Sequence, residues 1–154
     1  MVAHGTQSVV LLRAGLRTCA LPLMSVVETM RPLPVVPVAD TPAPVRGLAV
    51  IRGQPTPVID LNQLLGSSEA LADGRFVLLR VGERRVAVAV DEVLGVRDVA
   101  AEQLAAVPPL LQAAEAIPAT AIGVRDRQLL VLLEAGRIVP DDWWQLLADG
   151  KPTA

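Results

Sequence analysis

Residues that could perform acid–base, nucleophilic or metal chemistry are scarce in this chain of 154 residues. It has one histidine, His4, near the N-terminus, and one cysteine, Cys19, in an apolar segment. A histidine-based catalytic triad or metal site therefore lacks the residues that it needs. A single cysteine forms neither an internal disulfide nor a metal-binding cluster, so we interpret Cys19 as a small buried hydrophobic residue.

The carboxylates also give only a weak catalytic signal. Asp91 and Glu92 are adjacent, and neighbours in a strand point to opposite faces, so we interpret them as acids at a solvated strand end. Asp60 follows an apolar strand and could be a catalytic acid, but capping of the next helical turn is the favoured interpretation. With no nucleophile-elbow or phosphate-loop motif in the chain, we expect no enzymatic activity and no metal or other cofactor.

Nucleic acid is also an unexpected partner, because the net charge is −2 and no broad basic surface is indicated. Trp143 and Trp144 could stack on bases, but Asp141 and Asp142 precede them directly. We expect one tryptophan to pack on the fold and the other to be partly exposed.

Arg52 has the clearest potential for binding a partner. Gly47 and Gly53 can adopt positive φ, which predicts a short buried strand over residues 48–51 between two tight bends, with Arg52 at the tip of the second. An arginine held there presents a rigid guanidinium to a partner. A solvated turn charge explains the same residue equally well.

The elements that position these residues are predicted to be mostly strands. Apolar residues form 52% of the chain and aromatic residues only 2%, which favours many short β elements with an aliphatic core. Large and small apolar residues alternate over residues 86–90, which predicts a strand covered on both faces. Further hairpins are predicted from residues 75–81 with 84–90, and from 117–124 with 128–133.

An internal repeat divides the chain into two similar halves. Residues 10–26 recur 67 positions later, so that Gly15 corresponds to Gly82 and Val26 to Val93. We therefore expect the hairpins around the two glycines to lie in separate lobes. Short helices are predicted after Asp60 and after Pro140, residues 67–74 form a linker, and the proline-rich residues 32–44 form an extended connection outside the sheet interior.

The turn at Arg52 and the strand after it resemble a known family. Ile51-Arg52-Gly53, followed after a short gap by residues 57–61 with the sequence Pro-Val-Ile-Asp-Leu, is similar to the signature of the CheW-like coupling proteins of bacterial chemotaxis. Further matching positions extend from about Val9 to about Val139: Ala20-Leu21, Val26, Glu28, Thr41-Pro42, Ala101-Glu102-Gln103 and Gly123.

This resemblance implies a mainly β fold of two small, intertwined, five-stranded SH3-like β-barrel lobes with an aliphatic core between them and a few short helices. Residues 7–139 would form a single domain, and 140–154 a C-terminal helix and tail. The protein would be a non-enzymatic adaptor that couples the cytoplasmic tips of methyl-accepting chemoreceptors to the regulatory domain of a CheA-type histidine kinase.

The resemblance also implies two sets of binding residues. The receptor tip would dock on Val26, Glu28, Gly47, Arg52 and Gly53. The kinase would contact Val88, Val90, Val93 and Leu110, although ordinary core packing also explains the three valines.

Several positions depart from the family pattern and leave the choice of receptor open. Val50 replaces a common asparagine, Ala121 replaces a usual glycine, and Gln54-Pro55 places a proline where a strand donor is usual. Alternative functions are a scaffold in a pilus-linked or other chemosensory pathway, an orphan interaction module, or a small β-barrel enzyme or ligand-binding domain, which would need a polar pocket.

A cytoplasmic location without direct membrane insertion is expected. The first eight residues lack the features of a secretory signal, and no apolar run reaches the roughly 20 residues that span a bilayer.

Overall fold

A computed structural model describes residues 5–67, 74–100, 104–106, 119–125 and 128–149. Strands dominate this part of the chain: β1 Thr6–Ala14, β2 Arg17–Pro22, β3 Val26–Met30, β4 Val45–Ile51, β5 Gln54–Asp60, β6 Arg75–Val81, β7 Arg84–Val90, β8 Glu92–Ala100, β9 Leu104–Ala106, β10 Ala119–Arg125 and β11 Gln128–Leu133. The helices are α1 Leu61–Leu64 and α2 Asp141–Asp149, with 3₁₀ turns at Leu23–Ser25 and Ala135–Arg137. The predicted mainly β fold with a few short helices is confirmed.

The strands form two sheets, which we call the first and second lobes. The first lobe has the strand order β8-β1-β2-β11-β10-β9, and the second has the order β3-β6-β7-β5-β4. Neighbouring strands are antiparallel except for β2 with β11 and β5 with β7. The first lobe thus has six strands rather than the expected five, because the short β9 extends it beyond β10.

Each half of the chain contributes strands to both lobes: β3 to β5 of the first half lie in the second lobe, and β8 to β11 of the second half lie in the first lobe. The hairpin β1–β2 around Gly15 lies in the first lobe and β6–β7 around Gly82 in the second, as the repeat predicts. The strand that follows each hairpin then crosses over: β3 pairs with β6, and β8 pairs with β1. The registers match through the same offset, since Val26 pairs with Leu79 and Val93 pairs with Leu12.

The repeat extends beyond the segment found in the sequence. Hairpin β10–β11 repeats β4–β5 with an offset of 74 residues, so that Gly47 opposite Val58 corresponds to Ala121 opposite Leu132. Both hairpins have a bulge at that step. The predicted hairpin in this region is therefore confirmed over residues 119–125 and 128–133, whereas residues 117–118 lie outside the described part.

Buried aliphatic side chains fill the space between the lobes as well as each lobe. This shared core includes Val10 and Leu12 of β1 and Val77 and Leu79 of β6. Large and small side chains of β7 lie on opposite faces of the strand. Its valines 86, 88 and 90 enter the shared core, and its alanines 87 and 89 enter the core of the second lobe. The prediction of a strand covered on both faces is confirmed.

The chain around Gly47 differs from the prediction. Strand β4 runs without a break from Val45 to Ile51, and Gly47 forms a bulge with φ 138° rather than a tight bend. Val36, in the extended proline-rich connection, makes two backbone hydrogen bonds with Leu48. A Cβ on Gly47 would overlap the Val36 carbonyl oxygen, so glycine is needed for this close approach. Residues 48–51 are also not fully buried, since Val50 is 68% exposed.

Asp60 caps α1, as predicted, and its carboxylate also has a basic partner. Its Oδ1 accepts a hydrogen bond of 3.1 Å from the Gln63 amide. Its Oδ2 lies 2.8 Å from Nη2 and 3.2 Å from Nε of Arg46. Asp60 is fully buried, whereas the Arg46 side chain is 24% exposed. The ion pair therefore fixes the end of β5 against the start of β4.

The predicted helix after Pro140 is α2, whose first turn is bonded to the Pro140 carbonyl. Leu147 enters the shared core, so this helix packs on the main body of the protein. Trp143 and Trp144 are both half-buried against that core, which corrects the expectation that they would differ. Neither helix of the described chain has the length and apolar character of a membrane-spanning helix.

Removal of the Asp60 carboxylate should destabilise the fold. Asp60→Ala deletes the α1 cap and leaves the half-buried Arg46 without this partner, so we expect a loss of about 3 kcal/mol in urea unfolding. Asp60→Asn keeps a capping oxygen and should lose less. A loss below about 1 kcal/mol for Asp60→Ala would show that the ion pair does not hold the two strands.

The thiol of Cys19 should be unreactive in the folded protein. Cys19 is fully buried in the shared core, and burial raises the pKa of its thiol to about 12, against a smaller lowering by the charge of Arg17. Because the thiolate is the reactive form, a disulfide reagent at pH 8 should modify it only after unfolding. Complete reaction within seconds in native buffer, at the rate seen in denaturant, would contradict this burial.

Candidate functional site

The Arg52 side chain extends from a tight two-residue turn between β4 and β5. Ile51 pairs with Gln54, and both turn residues have positive φ, 53° at Arg52 and 78° at Gly53. Two positive φ angles define a type I′ turn, which matches the twist of a hairpin. A Cβ on Gly53 would meet no atom within 4 Å, so glycine serves the backbone angle here rather than close packing. The predicted position of Arg52 at a hairpin tip is confirmed.

Arg52 forms a two-pronged ion pair with Glu28. Its Nε and Nη2 each donate a hydrogen bond of 2.8 Å, the first to Oε2 and the second to Oε1. Glu28 lies on β3, and Arg52 follows β4, the strand at the other edge of the same sheet. The ion pair therefore connects the two edges of the second lobe. The sequence indicated both residues as receptor-binding candidates, but it did not predict that they bind each other.

The ion pair remains accessible to solvent and favours the charged form of Glu28. The Arg52 side chain is 68% exposed and that of Glu28 is 27% exposed. Hydrogen bonds from Arg52 lower the pKa of Glu28 below its ordinary value of 4.5. The charges of Arg52 and Arg85 also lower this pKa, while partial burial opposes them. Both side chains are thus charged at neutral pH and within reach of a partner.

Two hairpin tips and the start of β3 meet at one end of the second lobe, which we call the turn end. Strands β5 and β7 run parallel, so the turns that precede them lie at the same end of the sheet. Strand β3 begins there too, because Val26 pairs with Leu79 near the end of β6. Arg85 also points to this end of the sheet, although neither the turn pattern nor the family resemblance indicated it as a site residue. The sequence feature that could have identified Arg85 is its position two residues before Ala87. Residues two apart in a strand share a face, so Arg85 continues the inward face of β7 to the turn end.

The other predicted receptor-binding residues differ in position. Val26 is half-buried two residues before Glu28 and packs against the shared core. Gly47 is buried at the β4 bulge, away from the Arg52 turn, and its role there is the close approach to Val36. The structure thus brings Glu28, Arg52 and Gly53 together, with Val26 beside them.

The predicted kinase-binding valines are mostly inaccessible. Val88 and Val90 are 0% and 1% exposed in the shared core, so their side chains offer no surface to a partner, and core packing describes both. Val93 is half-buried on β8, where it pairs with Leu12. Leu110 lies outside the described residues.

The two adjacent acids after β7 hold the β1–β2 turn. Asp91 accepts a hydrogen bond of 2.7 Å from the Gly15 amide and lies 3.4 Å from Arg13, which also contacts Glu92 at 3.3 Å. The Asp91 amide donates to the Arg13 carbonyl. Asp91 connects β7 to β8 and Glu92 begins β8, so these strand-end acids hold the β1–β2 turn at the point where the chain passes from the second lobe to the first. They therefore have a structural role in addition to the expected position at a strand end.

A shallow groove runs between the lobes beside the turn end. Its lining includes Gln7 and Pro22 from the first lobe, Arg80 and Val81 from the second, and residues 132–136. Ser25 also lines it and directly precedes Val26, so the groove reaches the start of β3. The site therefore combines an exposed ion pair with an adjoining interlobe groove.

The titration of Glu28 should report the ion pair directly. Since Arg52 lowers the pKa of the folded-state carboxyl, the stabilisation is present above the ordinary value of 4.5 and is lost as pH falls through the folded-state pKa. In carbon-13 NMR, the Glu28 carboxyl should titrate below 4.5 in the wild type and closer to 4.5 in Arg52→Gln. Identical midpoints in the two proteins would contradict the ion pair.

Comparisons with known proteins agree with this architecture. The fold is similar to the crystal structure of the scaffolding protein TtCheW from Thermoanaerobacter tengcongensis, with a TM-score of 0.79 over 90% of this chain and 96% of that chain, at 18% sequence identity. A profile described as the CheW-like domain matches residues 8–142. The resemblance found in the sequence is confirmed, and the chain belongs to the CheW-like domain family.

Proposed function

We propose that this protein is a cytoplasmic adaptor that couples the signalling tip of a chemoreceptor to the regulatory domain of a CheA-type histidine kinase. Membership of a family of chemotaxis scaffold proteins supports the adaptor role. The single observation that carries the receptor site is the Glu28–Arg52 ion pair, which joins two predicted receptor-binding residues at an exposed hairpin tip. An arginine held in place by a two-pronged ion pair is preorganised for recognition.

The surroundings of the ion pair suit a protein partner. Val27 is adjacent to Glu28 and is 44% exposed, and Val50, two residues before Arg52, is 68% exposed. Exposed aliphatic residues beside an arginine supply the apolar contact and the directed hydrogen bonds that interface hot spots combine. The interlobe groove next to Val26 gives an elongated partner, such as a helical receptor tip, further surface to contact.

The kinase would bind elsewhere, on the first lobe. Among the four predicted kinase-binding residues, Val93 has a half-buried side chain on the edge strand β8. Its neighbours Leu94 and Val96 are 37% and 51% exposed. An aliphatic edge strand suits the apolar contact that we propose for the kinase regulatory domain. Leu110 stays a prediction for the same interface.

Coupling then follows from geometry and mass action. A protein that holds the receptor tip at the second lobe and the kinase at the first raises the effective concentration of one partner near the other. The receptor state can bias kinase activity if its affinity for the adaptor complex differs between signalling states. No chemical step by the adaptor is needed.

Replacement of Arg52 should separate the two binding activities. Arg52→Ala removes both hydrogen bonds to Glu28 and the guanidinium that a receptor would contact, so we expect receptor-fragment affinity to fall about 30-fold. Affinity for the kinase regulatory domain should stay within about threefold of the wild type. Titration calorimetry with each partner fragment measures both affinities.

The controls separate binding from folding. Arg52 is exposed, so the melting temperature of Arg52→Ala should stay within about 3 °C of the wild type. Arg52→Gly provides a second test, because glycine adopts the positive φ of this position without steric cost while also lacking the guanidinium. Equal loss of affinity for both partners, or a collapsed melting transition, would show that Arg52 is a structural residue.

A further inference from the structure

Two arginines are directly opposite each other in the β6–β7 hairpin at the turn end. Arg80 of β6 is directly opposite Arg85 of β7, so their side chains project from the same face of the sheet. Like charges directly opposite in a sheet are destabilising. Arg80 is exposed and Arg85 is half-buried. The fold therefore accepts an unfavourable charge pair at this position.

The carboxylates near this pair do not form ion pairs with it: Glu83 lies in the turn between β6 and β7, and Glu134 lines the interlobe groove together with Arg80. Neither Arg80 nor Arg85 has an acidic side chain within 4.0 Å among the residues that the structure places. Glu28 is the nearby acid that senses the charge of Arg85, but each of its oxygens already accepts a hydrogen bond from Arg52. Arg84 precedes Arg85, and its guanidinium carbon lies 4.8 Å from the centre of the Trp144 ring. The turn end thus carries more positive charge than its own acids neutralise.

These arginines lie on the same face as the ion pair. Glu28 is opposite Leu78, Leu78 is opposite Ala87, and Arg85 follows the same face two residues before Ala87. Arg85 is thus held by its strand rather than by a flexible loop. A half-buried guanidinium on a rigid strand loses little entropy when it binds a carboxylate, and it presents a two-pronged donor to it.

We propose that Arg85, with Arg80 beside it, binds carboxylates of the receptor tip that docks at Arg52, and thereby determines which receptors this adaptor accepts. This inference rests on the proposed receptor-binding function and adds the chemistry of the partner. The choice of an acidic protein segment follows from charge complementarity at a protein-binding site. An acidic tip gains affinity here, whereas a tip with basic side chains at the same place is rejected.

The test compares two arginines of the same hairpin. Arg85→Gln removes the proposed contact, and Arg75→Gln is the matched control, because Arg75 is exposed at the opposite end of β6, paired with Val90. The probe is a soluble signalling fragment of a chemoreceptor from the same organism, titrated at 50 mM and 500 mM NaCl. We expect Arg85→Gln to weaken binding about tenfold at low salt and less at high salt, and Arg75→Gln to stay within twofold.

A second arm identifies the carboxylates and checks the placement of Arg85. Glutamate and aspartate residues of the receptor fragment are neutralised one at a time. Neutralisation of the carboxylate that Arg85 binds should weaken binding to the wild-type adaptor but not further weaken binding to Arg85→Gln. Without any receptor, Arg85→Gln should also raise the pKa of Glu28 in NMR, because one positive charge near it is lost.

The outcomes distinguish this inference from the proposed function. If the wild type binds the receptor fragment, Arg52→Ala weakens that binding and Arg85→Gln does not, the inference is overturned and the adaptor function stands. If the wild type binds no receptor fragment, both are overturned. If Arg85→Gln changes self-association in sedimentation and leaves receptor binding intact, a second copy supplies the carboxylates and the inference is overturned.

Discussion

Reciprocal strand pairing, β3 with β6 and β8 with β1, is the interaction on which the rest of the structure depends. Each ladder joins strands from different halves of the chain, so its closure entropy is offset only when both halves have folded. Neither lobe is complete without strands from both halves of the chain. The exchange also sets the two hairpins against each other and creates the shared aliphatic core, to which Val10, Leu12, Val77 and Leu79 belong.

The candidate binding site depends on the same crossing. Glu28 and Arg52 both belong to the first half of the chain, and β3 to β5 carry both of them into the second lobe, where β3 and β4 are the two edge strands. The equivalent residue on β8, 67 positions later, is Gly95 opposite Leu11, which has no carboxylate to offer. A nearly symmetric framework thus carries the ion pair in its second lobe. The repeated strands form the framework, and a few side chains make the two lobes chemically different.

The combination of a rigid apolar core with ion pairs at the surface suits an adaptor. Mainly aliphatic side chains fill the three cores, and ion pairs between described charged residues connect segments that are distant in the chain. A framework of this kind holds its surface in one conformation, so that binding costs little ordering entropy. Arg46 with Asp60 and Arg13 with Asp91 stabilise the framework. Arg52 with Glu28, which is more exposed, combines a structural contact with access for a partner.

By itself the sequence determined the features that depend on residues close together in the chain. These are the turn at Arg52-Gly53, the cap at Asp60 and the two apolar faces of β7. Backbone angles, capping and strand alternation are local properties, so the sequence was sufficient to predict them. The repeat predicted the two lobes, and the family signature implied the partners. Only the tertiary structure decided that Glu28 binds Arg52, because the contact forms only when the two edge strands of the second lobe, β3 and β4, come together. It also decided that Val88 and Val90 are inaccessible, since an aliphatic strand suits a core and an interface equally well in sequence.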